Sequence, residues 1–155
     1  MAVFHDLKMT GGIVMVEKIG ELFGWVIVFS YALTVLNYFV KLVNRKYSRQ
    51  LAKHPEAKRL MGRVTPFVVK NHKIFGFITI TGILVHFYIQ FTRWGLVASG
   101  AVAASLMVLQ AILGAYGAFI NKKRKGLWFV THRLIAAILF VAIIYHIIYV
   151  NINFG

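Results

Sequence analysis

An all-α integral membrane protein is the fold class this sequence predicts: a bundle of four spanning helices with both termini on the non-cytoplasmic side. Three observations carry that expectation. The 155 residues are 59% hydrophobic, with a mean hydropathy of +0.73. A soluble domain of this length cannot hide so much apolar surface, so lipid is part of its solvent. Four apolar runs each reach about 20 residues or more, enough to cross the hydrocarbon core. The basic residues collect on one side of those runs.

In chain order, the spans are expected at roughly 21–42, 66–92, 96–120 and 127–150. Ahead of the first, "MAVFHDLKMTGG" has neither the charged n-region nor the apolar h-region of a cleaved signal, so it reads as mature sequence. The first and second spans are joined by the long basic stretch "KLVNRKYSRQLAKHPEAKRLMGRV". It reads as a solvated loop, with an interfacial helix before Pro55 lying on anionic headgroups. A docking surface for an acidic soluble electron donor is the alternative. The second and third spans are joined around "TRWG", which fits a tight antiparallel hairpin. No linker or low-complexity tract interrupts the chain, so a single transmembrane domain over 1–155 is expected.

Charge orients the bundle. The first connection and its flanks hold Lys41, Arg45, Lys46, Arg49, Lys53, Lys58, Arg59, Arg63, Lys70 and Lys73. The third holds Lys122, Lys123, Arg124, Lys125 and Arg133. Fifteen of the eighteen basic residues therefore share one face, and only Lys8, Lys18 and Arg93 oppose them. By the positive-inside rule that face is cytoplasmic, giving a multi-pass protein of the cytoplasmic membrane. The net charge of +14 would suggest nucleic acid in a soluble protein, but here topology accounts for it and no nucleic-acid partner is expected. With no cysteine, disulfides, thiolate-ligated iron–sulfur clusters and covalent c-type haem are excluded.

The chemistry lies in histidines. His5 and His54 fall in the outer tail and the basic loop and read as solvated, but four others lie within spans. There histidine is uncommon and points to function, although a lone one can serve as a helix–helix hydrogen bond. "NHKIFGFITITGILVHF" places His72 and His86 fourteen positions apart, and "THRLIAAILFVAIIYHI" does the same with His132 and His146. Fourteen helical residues advance about 21 Å with an angular offset of only about 40°, so each pair shares one stripe at two depths. The second and fourth spans run parallel in this topology. His72 is thus expected level with His132 near the inner surface, and His86 with His146 near the outer.

Small residues stand one turn inward from each: Gly76 from His72, Gly82 from His86, Ala136 from His132 and Ala142 from His146. Residues four apart share a helix face, so these leave room for a flat ligand. Close helix packing in lipid is the competing explanation for small residues in general. On the third span, Gly100 and Gly114 are also fourteen apart and are expected at the outer and inner histidine levels. Zinc needs a tetrahedral donor set, whereas each depth here offers two imidazoles and no carboxylate. Asp6, Glu17, Glu21 and Glu56 are the only acids, which removes carboxylate proton relays and paired-carboxylate hydrolysis. Two nitrogens facing across a plane suit the axial positions of haem iron, and two haem b groups are the cofactors expected. The metal ligands would be His72 and His132 for the inner iron, His86 and His146 for the outer.

With this pattern the chain resembles the cytochrome b of quinol-oxidising respiratory complexes and the transmembrane domain of ferric reductases and NADPH oxidases. The likeness rests on H-x13-H on two helices of a four-helix core, over residues 66–150. Gly100 and Gly114 match a glycine pair that recurs at the haem levels of the respiratory group. Gly20 and Gly24 on the first span are too close together to form such a pair. Bis-histidine ligation leaves no open axial site, so such a centre passes electrons, with iron-to-iron separation expected near about 20 Å. Lys70, Lys73 and Arg133 flank the inner histidines and Arg93 the outer, as propionate partners through charge-assisted bonds or as snorkelling topology residues. Thr131, Asn71 and Tyr145 adjoin ligands in sequence but point elsewhere, and Trp94, Trp128 and Tyr149 read as interfacial anchors.

No nucleotide-binding fingerprint is present. The expected function is therefore electron relay by a subunit of a larger redox complex, between a cytoplasmic oxidoreductase and quinone or an outer acceptor. A quinone pocket would form near Gln90, Arg93, Trp94 and Tyr149, or near Lys70 and Arg133. The alternative is a membrane haem carrier or sensor.

Overall fold

The computed structural model describes residues 2–121 and 126–154, and the basic run Lys122–Lys125 lies outside them. Helix α1 covers Ala2–Lys46, a short α2 covers Ser48–Ala52, α3 covers Pro55–Trp94, α4 covers Ala98–Ala115 and α5 covers Leu127–Phe154. A single π-helical stretch, Tyr116–Ile120, continues α4. No strand occurs among the described residues. Four helical segments are long and apolar enough to cross a membrane: Val14–Lys46, Pro55–Trp94, Ala98–Ile120 and Leu127–Phe154. The isoleucine-rich α5 would be a modest helix former in water, but in lipid only a helix satisfies its own backbone.

Two helices exceed their expected length. The apolar run of α1 begins near residue 21, yet the helix starts at Ala2, because Glu17, Lys18 and Glu21 end the hydrophobic run without opposing helix. Similarly, α3 begins at Pro55 instead of 66 and passes straight through Pro66. Proline suits the first position of a helix. Inside one it removes a backbone donor, which costs about 3 kcal/mol in a soluble helix. Between α1 and α3, Tyr47 leaves the helical region at φ −115° and ψ 18°, and α2 sits where an interfacial helix was expected.

The described chain forms two compact units, residues 1–25 with 80–155, and residues 26–79. In the second, α1 and the first part of α3 run antiparallel. Thr79 meets Ser30 at 2.8 Å near one end, and Asn44 donates to Thr65 at 2.7 Å near the other. Ile27, Tyr31, Val40 and Val68 are its buried apolar residues. The first unit gathers the start of α1, the end of α3, and the hairpin of α4 and α5 around Ile83, Ala103, Met107, Ile135 and Leu139. Gly95, at φ +70°, makes the turn into α4, a conformation glycine adopts without strain.

Most large apolar side chains point outward. Phe77, Phe119 and Leu127 are 70%, 78% and 82% exposed. In water such a surface would aggregate, so a lipid bilayer is its natural surrounding.

Candidate functional site

The first unit brings His86 and His146 within electrostatic reach of one another. They come from the end of α3 and from α5, and both are half-buried. Each imidazole is fixed by a different neighbour. His86 Nδ1 lies 2.9 Å from the backbone carbonyl of Gly20 on α1. A carbonyl only accepts, so Nδ1 carries the proton and Nε2 is left with the lone pair. His146 Nδ1 lies 2.9 Å from the Ser99 hydroxyl on α4, which can take the same role.

Glycines border these rings. A Cβ on Gly24 would stand 3.4 Å from His86 Cε1, and one on Gly100 would stand 3.0 Å from His146 Cε1. A side chain at Gly100 would press on the imidazole, whereas at Gly24 its Cβ would make ordinary contact. At Gly20 the crowding comes from α3, where Gln90 and Ile89 would lie 3.1 Å from an added Cβ.

The same hairpin carries His132 opposite Gly114, whose Cβ would stand 3.5 Å from the imidazole. Here a polar side chain intervenes. Gln110 Nε2 lies 3.2 Å from His132 Nε2, so the amide donates to that nitrogen's lone pair. His72 belongs to the unit of residues 26–79. It lies against the backbone of Thr34 and within reach of the Lys41 charge, and its Nδ1 is buried without a hydrogen-bond partner. A buried polar nitrogen left so is costly.

Comparison with family models, curated proteins and solved structures found no match to this chain.

The remaining expected site residues divide by environment. A Cβ on Gly76 would meet nothing within 4 Å, whereas Gly82 is buried; Ala136 and Ala142 are half-buried. Arg93 is held by Glu17 at 3.5 Å and stacks on Trp94 at 5.2 Å. Lys70, Lys73 and Arg133 are exposed, and the Arg133 guanidinium lies 5.6 Å from the Phe129 ring. Asn71 donates to the Phe67 carbonyl. Near the proposed outer quinone residues, Phe154 packs on Trp94 at 5.2 Å and on Tyr149 at 6.4 Å, and Gln90 Oε1 is buried without a partner.

Among the described residues no group of three or more His, Asp or Glu could hold a metal ion. A haem would ask the protein for only two imidazoles, a smaller donor set. The outer pair fits that use. Its Nδ1 atoms are taken by Gly20 and Ser99, and glycine lies beside both rings. Tying the far ring nitrogen is how proteins orient ligating imidazoles. His132 fits only after Gln110 moves aside.

Sequence reasoning passed over Ser99 and Gln110, and it noted Gly20 and Gly24 only as a pair too close together. The spacing of four that set those two apart from a glycine pair brings both beside His86. Both serve a single histidine.

Proposed function

We propose that this chain is a membrane di-haem b-type cytochrome of the kind its histidine pattern resembles. It would relay electrons across the bilayer between a cytoplasmic oxidoreductase and quinone or an outer-face acceptor, as a subunit of a larger redox complex. The observation that carries this reading is the outer pair, in which His86 and His146 approach each other with both Nδ1 atoms engaged. Haem, when bound, would supply a one-electron couple, with His86 and His146 holding it.

The protein's own part is positional. Gly20 and Ser99 hold the imidazole tautomers, Gly24 and Gly100 keep space beside the rings, and apolar spans exclude water. The inner ligands of this reading, His72 and His132, rest on the sequence spacing alone. The charge bias sets the basic connections on the cytoplasmic side.

Haem-replete expression should give two haem b per chain by pyridine haemochrome assay, with low-spin α-bands in the reduced-minus-oxidised spectrum. Colourless protein would reject the reading. In liposomes, a reduced donor on one side should reduce quinone or an acceptor on the other, and failure would reject the relay alone. A haem carrier or sensor is the second reading. Its support is Gln110, which competes for His132 and would make one haem exchangeable.

A further inference from the structure

The second unit contains a groove of about 410 Å³ where the basic end of α1 meets α2 and the start of α3. It has no part in the histidine chemistry. Asn44, Ser48, Lys58 and Thr65 are among its lining residues, together with Gly62 and Pro66. No carboxylate contributes to the lining.

The hydrogen-bonding balance defines what fits. Thr65 Oγ1 accepts from Asn44 Nδ2 at 2.7 Å, so the threonine's own proton is available to another acceptor. The Ser48 hydroxyl and the Lys58 ammonium add further donors. Such a set favours an anionic oxygen cluster. Pro66 has no N–H for the Gly62 carbonyl four residues before it, which leaves one backbone acceptor short of its helical donor. A ligand suited to both features carries an anion and a hydroxyl. Leu51 and Met61 complete the wall with apolar surface. The groove stands at the end of two helices long and apolar enough to cross a membrane.

We infer that this groove is a binding site for an anionic phospholipid, with the phosphodiester on Lys58, Ser48 and Thr65 and a glycerol-type headgroup hydroxyl toward the Gly62 carbonyl. The lipid's first acyl carbons lie on Leu51 and Met61. The surrounding positive residues raise the local concentration of such lipids, but the groove selects one.

Full-length protein in phosphatidylcholine nanodiscs doped with phosphatidylglycerol, released into native mass spectrometry, reads the site directly. One phosphatidylglycerol should be retained at least about tenfold over phosphatidylcholine, the value of one charge-assisted contact. Lys58→Gln should abolish that preference and Ser48→Ala should weaken it several-fold, each with unchanged helix content. Lys53→Gln removes the same charge outside the lining and should leave the preference intact. Equal retention of both lipids, or equal loss in Lys53→Gln and Lys58→Gln, would overturn the site in favour of diffuse charge. Release of the lipid by millimolar inorganic phosphate assigns the groove to a soluble anion and overturns it likewise, as does retention of quinone in place of phospholipid.

Discussion

At the scale of single residues, the outer histidines differ in who holds them. Gly20 offers a backbone carbonyl to His86, which no side-chain substitution removes, whereas His146 depends on the Ser99 hydroxyl. Donation from Nδ1–H makes an imidazole a more basic ligand. In the proposed di-haem protein, Ser99→Ala should therefore leave haem bound but raise the outer midpoint potential by about 20–50 mV. That follows from one neutral hydrogen bond of about 1 kcal/mol, read at 59 mV per tenfold for one electron. Redox titration followed at separate α-bands checks it, and an unmoved outer centre would remove Ser99 from this role. Glycine gives a second contrast. An added methyl at Gly100 meets His146 at 3.0 Å, closer than most real contacts, while at Gly114 the 3.5 Å approach to His132 is ordinary. Gly100→Ala should shift the low-spin EPR signal of the outer centre, and Gly114→Ala should shift neither. The spacing of Gly100 and Gly114 made both visible in sequence. Ser99 was not, since one serine among small residues has no periodicity, and a carbonyl such as Gly20's has no letter at all.

At the scale of elements, hydropathy marked four spans but not where their helices begin. An apolar window senses lipid, not helix, so the charged turn holding Glu17, Lys18 and Glu21 read as a boundary. The Glu17 pairing with Arg93 follows from that extra length, and it engages a guanidinium assigned to a propionate. Proline misled in a similar way, because Pro66 marks the start of the apolar run but lies inside α3. Within the second unit, α1 and α3 are tied by hydroxyls. Thr79 donates to the Ser30 hydroxyl at 2.8 Å, and Ser30 in turn donates to the Val26 carbonyl at 2.6 Å. Thr79→Val keeps the shape and removes the link, and should cost about 0.6 kcal/mol and no more than about 1.7. Equilibrium unfolding in mixed detergent measures it. A loss beyond that range would mean the valine also disturbs packing.

For the whole molecule, the charge pattern makes a statement about sidedness. Reporter fusions after Lys53 should be active only in the cytoplasm, and fusions at Phe154 only on the opposite side. The reverse result would invert which histidine level is called inner. The interior is also sparse. Among the described residues nine apolar ones are buried, Leu139 completely, while dozens of large ones face outward. Positions that meet only acyl chains demand oiliness without shape, so Leu, Ile, Val and Phe can replace one another there at little cost. Such a chain is free to drift. Over long descent its spelling would blur almost everywhere, and kinship would survive in the intervals between a few imidazoles and glycines.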